Sequence, residues 1–200
     1  GILIEPSHDL NRRIHEIFRT RAMPAVVKPA IGGSSVGVSI VRTFHDLERG
    51  IAKAFEISPK VLIEEYIAGK EAAVGVVDDF RGEEHYSLFP IEIIPPSEHT
   101  FFDYEAKYSG KTIEKCPGDF TEGEKQELTR VAKIVHKGLG LRHYSRSDFR
   151  VSPRGIYFLE VNTLPGLTSE SLLPKAVKAV GTKFADFIDH LISLARRKKK

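Results

Sequence analysis

Between Tyr144 and Asn162 the chain reads "YSRSDFRVSPRGIYFLEVN", two β-type stretches around a four-residue turn signal. That pattern forces an antiparallel hairpin. Side chains two apart on a strand share a face, so Glu160 and Asn162 project together. Folding back around "SPRG" sets Asp148 roughly opposite Leu159 and Glu160. The second strand then breaks into "TLPGLTSES", a loop of small polar residues. Two carboxylates and an amide oxygen on one patch leave two readings open. One is a solvated polar edge. The other is a shelf for Mg²⁺, a hard cation that takes a few oxygen ligands and completes its shell with substrate phosphates.

A second stretch, "KPAIGGSSVG", places Gly32, Gly33, Ser34, Ser35 and Gly37 just after the strand residue Lys28. Glycines let backbone N–H groups approach phosphate oxygens, and serine hydroxyls add donors. The stretch is neither a Walker A sequence nor a dinucleotide fingerprint. By itself it is equally a glycine-rich hairpin turn, with Lys28 an exposed strand-end lysine. A third stretch, "VLIEEYIAGKE", runs a strand into a bend whose backbone groups suit a purine edge, with Glu71 beyond it as an acceptor for ribose hydroxyls. It also reads as an ordinary strand and turn.

The remaining chain alternates irregularly between helix and strand, a mixed α+β order rather than strict βαβ alternation. "SHDLNRRIHEIFRT" predicts a helix capped by Ser7, with Leu10, Ile14, Ile17 and Phe18 as its apolar stripe. Thr43 with Asp46, and Thr121 with Glu124, have capping-box spacing and predict two further helices. Strands are expected over "PAVVKP", "VSIV", "KVLIEEYI", "EAAVGVV" and "YSLFPIEIIP". From Pro95 to Phe120 periodicity is lost, which predicts a long functional loop. Two helices close the chain, the second carrying Phe184, Phe187, Ile188 and Leu191 at helical spacing.

Charge and cysteine content narrow the function classes. The net charge is +3, but the last five residues, "RRKKK", are all basic, leaving −2 on the rest. A basic helix end explains that tail, so no nucleic-acid partner is expected. The single cysteine, Cys116, excludes an intramolecular disulfide and reads as a packing residue in a reducing compartment. No apolar run approaches the roughly 20 residues that span a bilayer, and no signal-peptide pattern is visible. A cytoplasmic protein without a membrane partner is expected.

Lys28 with its glycine–serine loop, "VLIEEYIAGKE", "FFDYEAKY", "SRSDF" and "LEVNTLPGLTSESLLP" follow one another as they do in D-alanine–D-alanine ligases of the ATP-grasp superfamily. The chain resembles that family from about Pro24 to Leu191. The resemblance implies an α+β ATP-grasp fold of two subdomains with ATP bound between them. Residues 1–67 would form part of the small subdomain, 68–195 the C-terminal catalytic subdomain and 196–200 a basic tail. It implies that Lys28 contacts ATP phosphates, that the Gly33, Ser34, Ser35 loop closes over them, and that Lys107, with Tyr108, lies in a loop that closes over ATP and substrate. Glu64, Glu65, Tyr66 and Ile67 would bind adenine, and Glu71 ribose. Asp148, Glu160 and Asn162 would hold two Mg²⁺ ions, with Mn²⁺ as an alternative. Arg146, Gly166 and Ser34 take catalytic roles. Tyr108, Arg146, Gly166, Ser171 and Leu172 would bind substrate.

The implied activity is ATP-dependent joining of two D-alanines through an acyl phosphate, for peptidoglycan precursor synthesis. The partners are then the small molecules ATP and D-alanine, with a homodimer allowed for the full-length protein. Ligases that join D-alanine to a hydroxy acid or another acceptor, and a non-catalytic nucleotide-binding module, remain as alternatives. Lys107 and Tyr108 favour the dipeptide, because depsipeptide-forming relatives differ in this loop. The sequence departs from the family in several ways. Ser145 stands where "GRxD" has glycine, and Gly32 replaces a frequent glutamate. An N-terminal domain of roughly a hundred residues, which supplies groups for the first D-alanine, is not part of this sequence. Nor is a further phosphate-binding lysine. The chain alone is therefore expected to fold without making dipeptide.

Overall fold

The computed structural model describes residues 1–96 and 112–197, which divide into two compact units. In the first, Gly1–Ile67, an antiparallel sheet of order β1-β4-β2-β3 is formed by β1 (Ile2–Ile4), β2 (Ala25–Pro29), β3 (Ser39–Val41) and β4 (Val61–Glu65). Alternation decides its faces. Ala25, Val27, Val61 and Ile63 are buried against α1 (Leu10–Thr20) and α2 (Phe44–Phe55), whose Ile14, Ile17, Leu47, Ile51 and Ala54 complete the core. Their strand neighbours Val26, Lys28, Leu62 and Glu64 fall on the opposite, half-buried face. The capping box of α2 is present: Asp46 N–H donates to Thr43 Oγ1 at 3.2 Å, and Thr43 N–H to Asp46 Oδ2 at 3.1 Å. Ser7 does not cap α1. Asp9 occupies that position without a side-chain capping bond, and the Ser7 carbonyl instead accepts from Leu10 N–H in a preceding turn.

In the second unit, which begins at Ala68, β5 (Lys70–Phe80) is the central strand. β9 (Tyr144–Ser152) lies along one edge from Lys70 to Val77, and β7 (Ile91–Ile94) and then β6 (Glu83–Ser87) pair with the other. β8 (Ile113–Lys115) extends the sheet beyond β7, and β10 (Gly155–Asn162) extends it beyond β9. On one face Ala72, Val74, Val76, Phe149 and Val151 bury against Leu128 and Ala132 of α3 (Glu122–Gly138). On the other lies α4 (Leu172–Ala179), followed by α5 (Phe184–Arg196). A Cβ on Gly75 would fall 2.5 Å from Leu173 Cδ1, so the missing side chain lets α4 approach β5 closely. Thr121 and Glu124 form the expected capping box of α3.

Three elements differ from the sequence expectation. β1 was not expected at all. β8 sits inside the stretch expected to be irregular from Pro95 to Phe120. β6 is folded onto β5 through Arg81 and Gly82, both at positive φ. Neither residue belongs to the Asn-Gly or Asp-Gly pairs that announce such a turn.

Candidate functional site

On β9 burial alternates strictly. Ser145, Ser147, Phe149 and Val151 face the core, so Arg146, Asp148 and Arg150 share the opposite face. Arg146 grips Asp148 in a fork, Nε to Oδ1 at 2.7 Å and Nη2 to Oδ2 at 2.8 Å. Asn162 Nδ2 donates to the same Oδ2 at 3.0 Å. Glu160 is paired across the ladder with Asp148 because the register shifts between Phe158 and Glu160, leaving Leu159 as the additional residue. An unbroken ladder would set Leu159 against Asp148 and Glu160 against Ser147, on the buried face. The bulge thus brings the second carboxylate to the first.

Burial works against the Arg146 charge, but the hydrogen bonds and charge of Asp148, with the charges of Glu160 and Glu114, outweigh it and push the guanidinium above its ordinary value. Glu114, on β8, also holds Lys175 of α4 at 2.7 Å. It is absent from the sequence-derived site because its strand carries no periodic signal. The donor set suits a hard divalent cation: two carboxylates and an amide oxygen share one face, and no thiol or imidazole is among them. Both Asp148 oxygens are engaged by donors, so a cation at this carboxylate competes with Arg146.

At the start of α4, Ser171 is the N-cap residue, and its Oγ lies 2.9 Å from Thr168 Oγ1. A Cβ on Gly166 would meet Ser171 Oγ at 2.6 Å, so a side chain here would displace the Ser171 hydroxyl. Gly166 and Ser171 therefore come together, and Leu172 is buried in the first turn of the helix. Glu71 pairs with Arg150 at 2.8 Å, with both side chains largely covered.

In the first unit Lys28 Nζ lies 2.5 Å from Glu64 Oε2 on the half-buried sheet face. Tyr66 N–H donates to the Pro24 carbonyl, extending the β2–β4 pairing past Glu65 towards Ile67. Gly33 and Val36 close a turn whose central residues, Ser34 and Ser35, have φ of +52° and +57°. Two successive non-glycine residues in the left-handed region are strained, and such strain concentrates at ligand clamps and switch segments. Lys107 and Tyr108 lie outside the described residues. Burial pushes the Cys116 thiol up to about 11, which removes it as a nucleophile near neutral pH and agrees with a packing role.

Ser145, at the position where the family motif has glycine, is fully buried, and its Oγ lies 2.7 Å from Nδ1 of the equally buried His136. No helix among the described residues is long and apolar enough to cross a membrane.

The two helix-backed antiparallel sheets define an α+β ATP-grasp fold, as the sequence led us to expect. Residues 3–193 match the family model described as D-ala D-ala ligase C-terminus, and the chain belongs to that family. It is 41% identical to the D-alanine–D-alanine ligase of Maridesulfovibrio salexigens, over 88% of this chain and 57% of that protein. Among solved structures it superposes on the VanG D-Ala:D-Ser ligase of Enterococcus faecalis with a TM-score of 0.81 at 32% identity, covering 96% of this chain and 55% of that one. The D-alanyl-alanine synthetase A of Vibrio cholerae gives 0.81 at 30% identity, covering 98% and 60%. The chain thus spans little more than half the length of the relatives it matches.

Proposed function

We propose that this chain is the ATP-grasp portion of an ATP-dependent ligase that joins two D-alanines. The observation that carries this reading is the Arg146–Asp148–Asn162 cluster with Glu160 delivered to it by the bulge. A carboxylate is a poor electrophile. Transfer of the γ-phosphoryl group of ATP to a D-alanine carboxylate oxygen releases ADP and leaves an acyl phosphate. The amine of a second D-alanine, having lost a proton, then attacks the acyl carbon; the peptide bond forms and inorganic phosphate departs.

Asp148, Glu160 and Asn162 would hold two Mg²⁺ ions, with Glu160 shared. Bound there, the ions supply neutralisation of the phosphate charge during transfer. Lys28 and the Gly33–Ser35 turn are assigned to the phosphates, Glu64 to Ile67 to the adenine, and Glu71 to the ribose, with Lys107 and Tyr108 closing over the reactants. Each of the paired side chains has to exchange a partner to do so: Lys28 leaves Glu64, and Glu71 turns from Arg150. Arg146 takes the negative charge that develops on the carbonyl oxygen as the amine attacks, aided by the Gly166 N–H. Ser171 and Leu172, at the N-terminus of α4, receive the second carboxylate, where an anion is favoured.

The likeness to a D-Ala:D-Ser ligase supports a second reading, in which the acceptor is D-serine. The test uses the protein that carries this chain in its natural reading frame, incubated with ATP, Mg²⁺ and D-alanine, alone or with D-serine or D-lactate. Phosphate and coupled product are measured separately. D-alanyl-D-alanine is expected as the main product, at about 1 per second or faster. Glu160→Gln should reduce its formation on the order of 100-fold or more, since the lost metal contact contributes several kcal/mol. Phosphate release without coupled product from any acceptor would overturn the ligase reading, and preference for D-serine would overturn the dipeptide assignment.

A further inference from the structure

Away from the β9–β10 site, two imidazoles from different elements converge on a single carboxylate oxygen. Asp78 Oδ1, near the end of β5, lies 2.8 Å from His85 Nδ1 on β6 and 3.0 Å from His136 Nε2 on α3. The three candidate ligand atoms all lie within 4.8 Å of one another. Nothing in the ligase reading uses them. We propose that Asp78, His85 and His136 form a second metal site, selective for zinc or a similar borderline divalent cation, with one open coordination position.

The donors argue for this class of ion. Two imidazole nitrogens and one carboxylate oxygen are a familiar three-ligand set for zinc and a poor one for Mg²⁺. Tetrahedral zinc with bonds near 2.0–2.1 Å sets its ligand atoms about 3.3 Å apart. The two contacts to Asp78 Oδ1 need to open by a few tenths of an ångström, and the two imidazole nitrogens, within 4.8 Å of each other, need to settle at the same separation. Both imidazoles can present a lone pair without releasing a proton, because a neutral ring has only to carry its proton on the remote nitrogen.

The surrounding groups fit the outer shell of such a site. His136 Nδ1 lies 2.7 Å from Ser145 Oγ, and Asp78 Oδ2 accepts from the backbone N–H of His143 at 2.6 Å. His85 Nε2 faces the Glu84 carboxylate at 3.8 Å. His136 and Asp78 thus each have a hydrogen-bond partner on the far side, the arrangement that orients metal-binding histidines and carboxylates, while His85 has only the looser ion-pair contact to the exposed Glu84. A surface cavity of about 380 Å³, lined by Glu83, Glu84 and His85 and by Lys133, Ile134 and Lys137 of α3, borders the cluster at His85. His136 is fully buried, whereas the side chains of His85 and Asp78 are 20% and 18% exposed, so His85 and Asp78 are the solvent-facing edge of the cluster.

The test starts from the chain stripped with a chelator and titrates it with Zn²⁺ against a chromophoric competitor, with Mg²⁺ present in excess. One equivalent of Zn²⁺ should bind and raise the melting temperature, since a ligand of the folded state stabilises it. Co²⁺ in place of Zn²⁺ should give visible absorption of tetrahedral type. His85→Ala, at the accessible edge, should weaken binding by at least roughly 100-fold, the upper end of the loss from an outer-shell partner alone. Its circular dichroism should match the parent's. Should His85→Ala lose its fold, His85→Gln, which keeps the side chain's bulk, is measured instead and must show the same loss. Glu160→Gln should leave Zn²⁺ affinity unchanged. No stoichiometric binding would show that the three residues are a hydrogen-bonded network only, and binding indifferent to His85 would place the ion elsewhere. Either result overturns the proposal.

Discussion

Arg146 is the residue on which the proposed chemistry turns. Its fork on Asp148 satisfies both partners before any ligand arrives, and the surrounding acids keep it charged. A cation taking Asp148 would compete for that carboxylate and release the guanidinium for a developing oxyanion. Lysine is a point charge without the planar fork. Arg146→Lys is therefore expected to keep the fold but lower kcat for dipeptide formation about 100- to 1000-fold, the range for loss of one oxyanion donor. The KM for ATP should change little. Steady-state kinetics on the natural reading frame check this; a kcat within a few-fold of the parent's would remove Arg146 from the oxyanion role. Asp148 and Asn162 were legible in the sequence because alternation assigns faces. Glu114 was not, because three residues of strand have no period to read.

Elements show the same division. The helices with capping boxes, α2 and α3, were readable because a Thr and an acid three residues apart satisfy reciprocal backbone donors. The hairpin was readable from its turn, but not its register. Only the shift at Leu159 puts Glu160 beside Asp148, and a bulge leaves no unambiguous mark in sequence. The Asp78–His85–His136 cluster was invisible, since it joins β5, β6 and α3 through tertiary pairing alone.

That junction has a consequence for pH. Burial works against the Asp78 charge, yet the His85 hydrogen bond, the His143 N–H and the charges of both imidazoles hold it below its ordinary 3.8. His136 is likewise held below 6.5, chiefly by burial. Both groups bind protons more readily when unfolded, so both contribute stability that is lost on acidification. With chelator present, the melting temperature should fall in two stages over the interval from 6.5 to below 3.8, first below 6.5, where the unfolded chain protonates His136, and again below 3.8, where it protonates Asp78. A flat or rising profile across that interval would contradict the assignment.

At the scale of the molecule, five sequence stretches announced the family, and the fold of each unit agrees with it. The central claim is that these residues bind ATP together with Mg²⁺. Calorimetric titration of the chain with ATP, with and without Mg²⁺, tests it most directly. Saturable binding of one nucleotide that requires Mg²⁺ and weakens in Glu160→Gln is expected. Absence of binding at millimolar nucleotide by a demonstrably folded chain, or binding indifferent to both Mg²⁺ and Glu160, would contradict it.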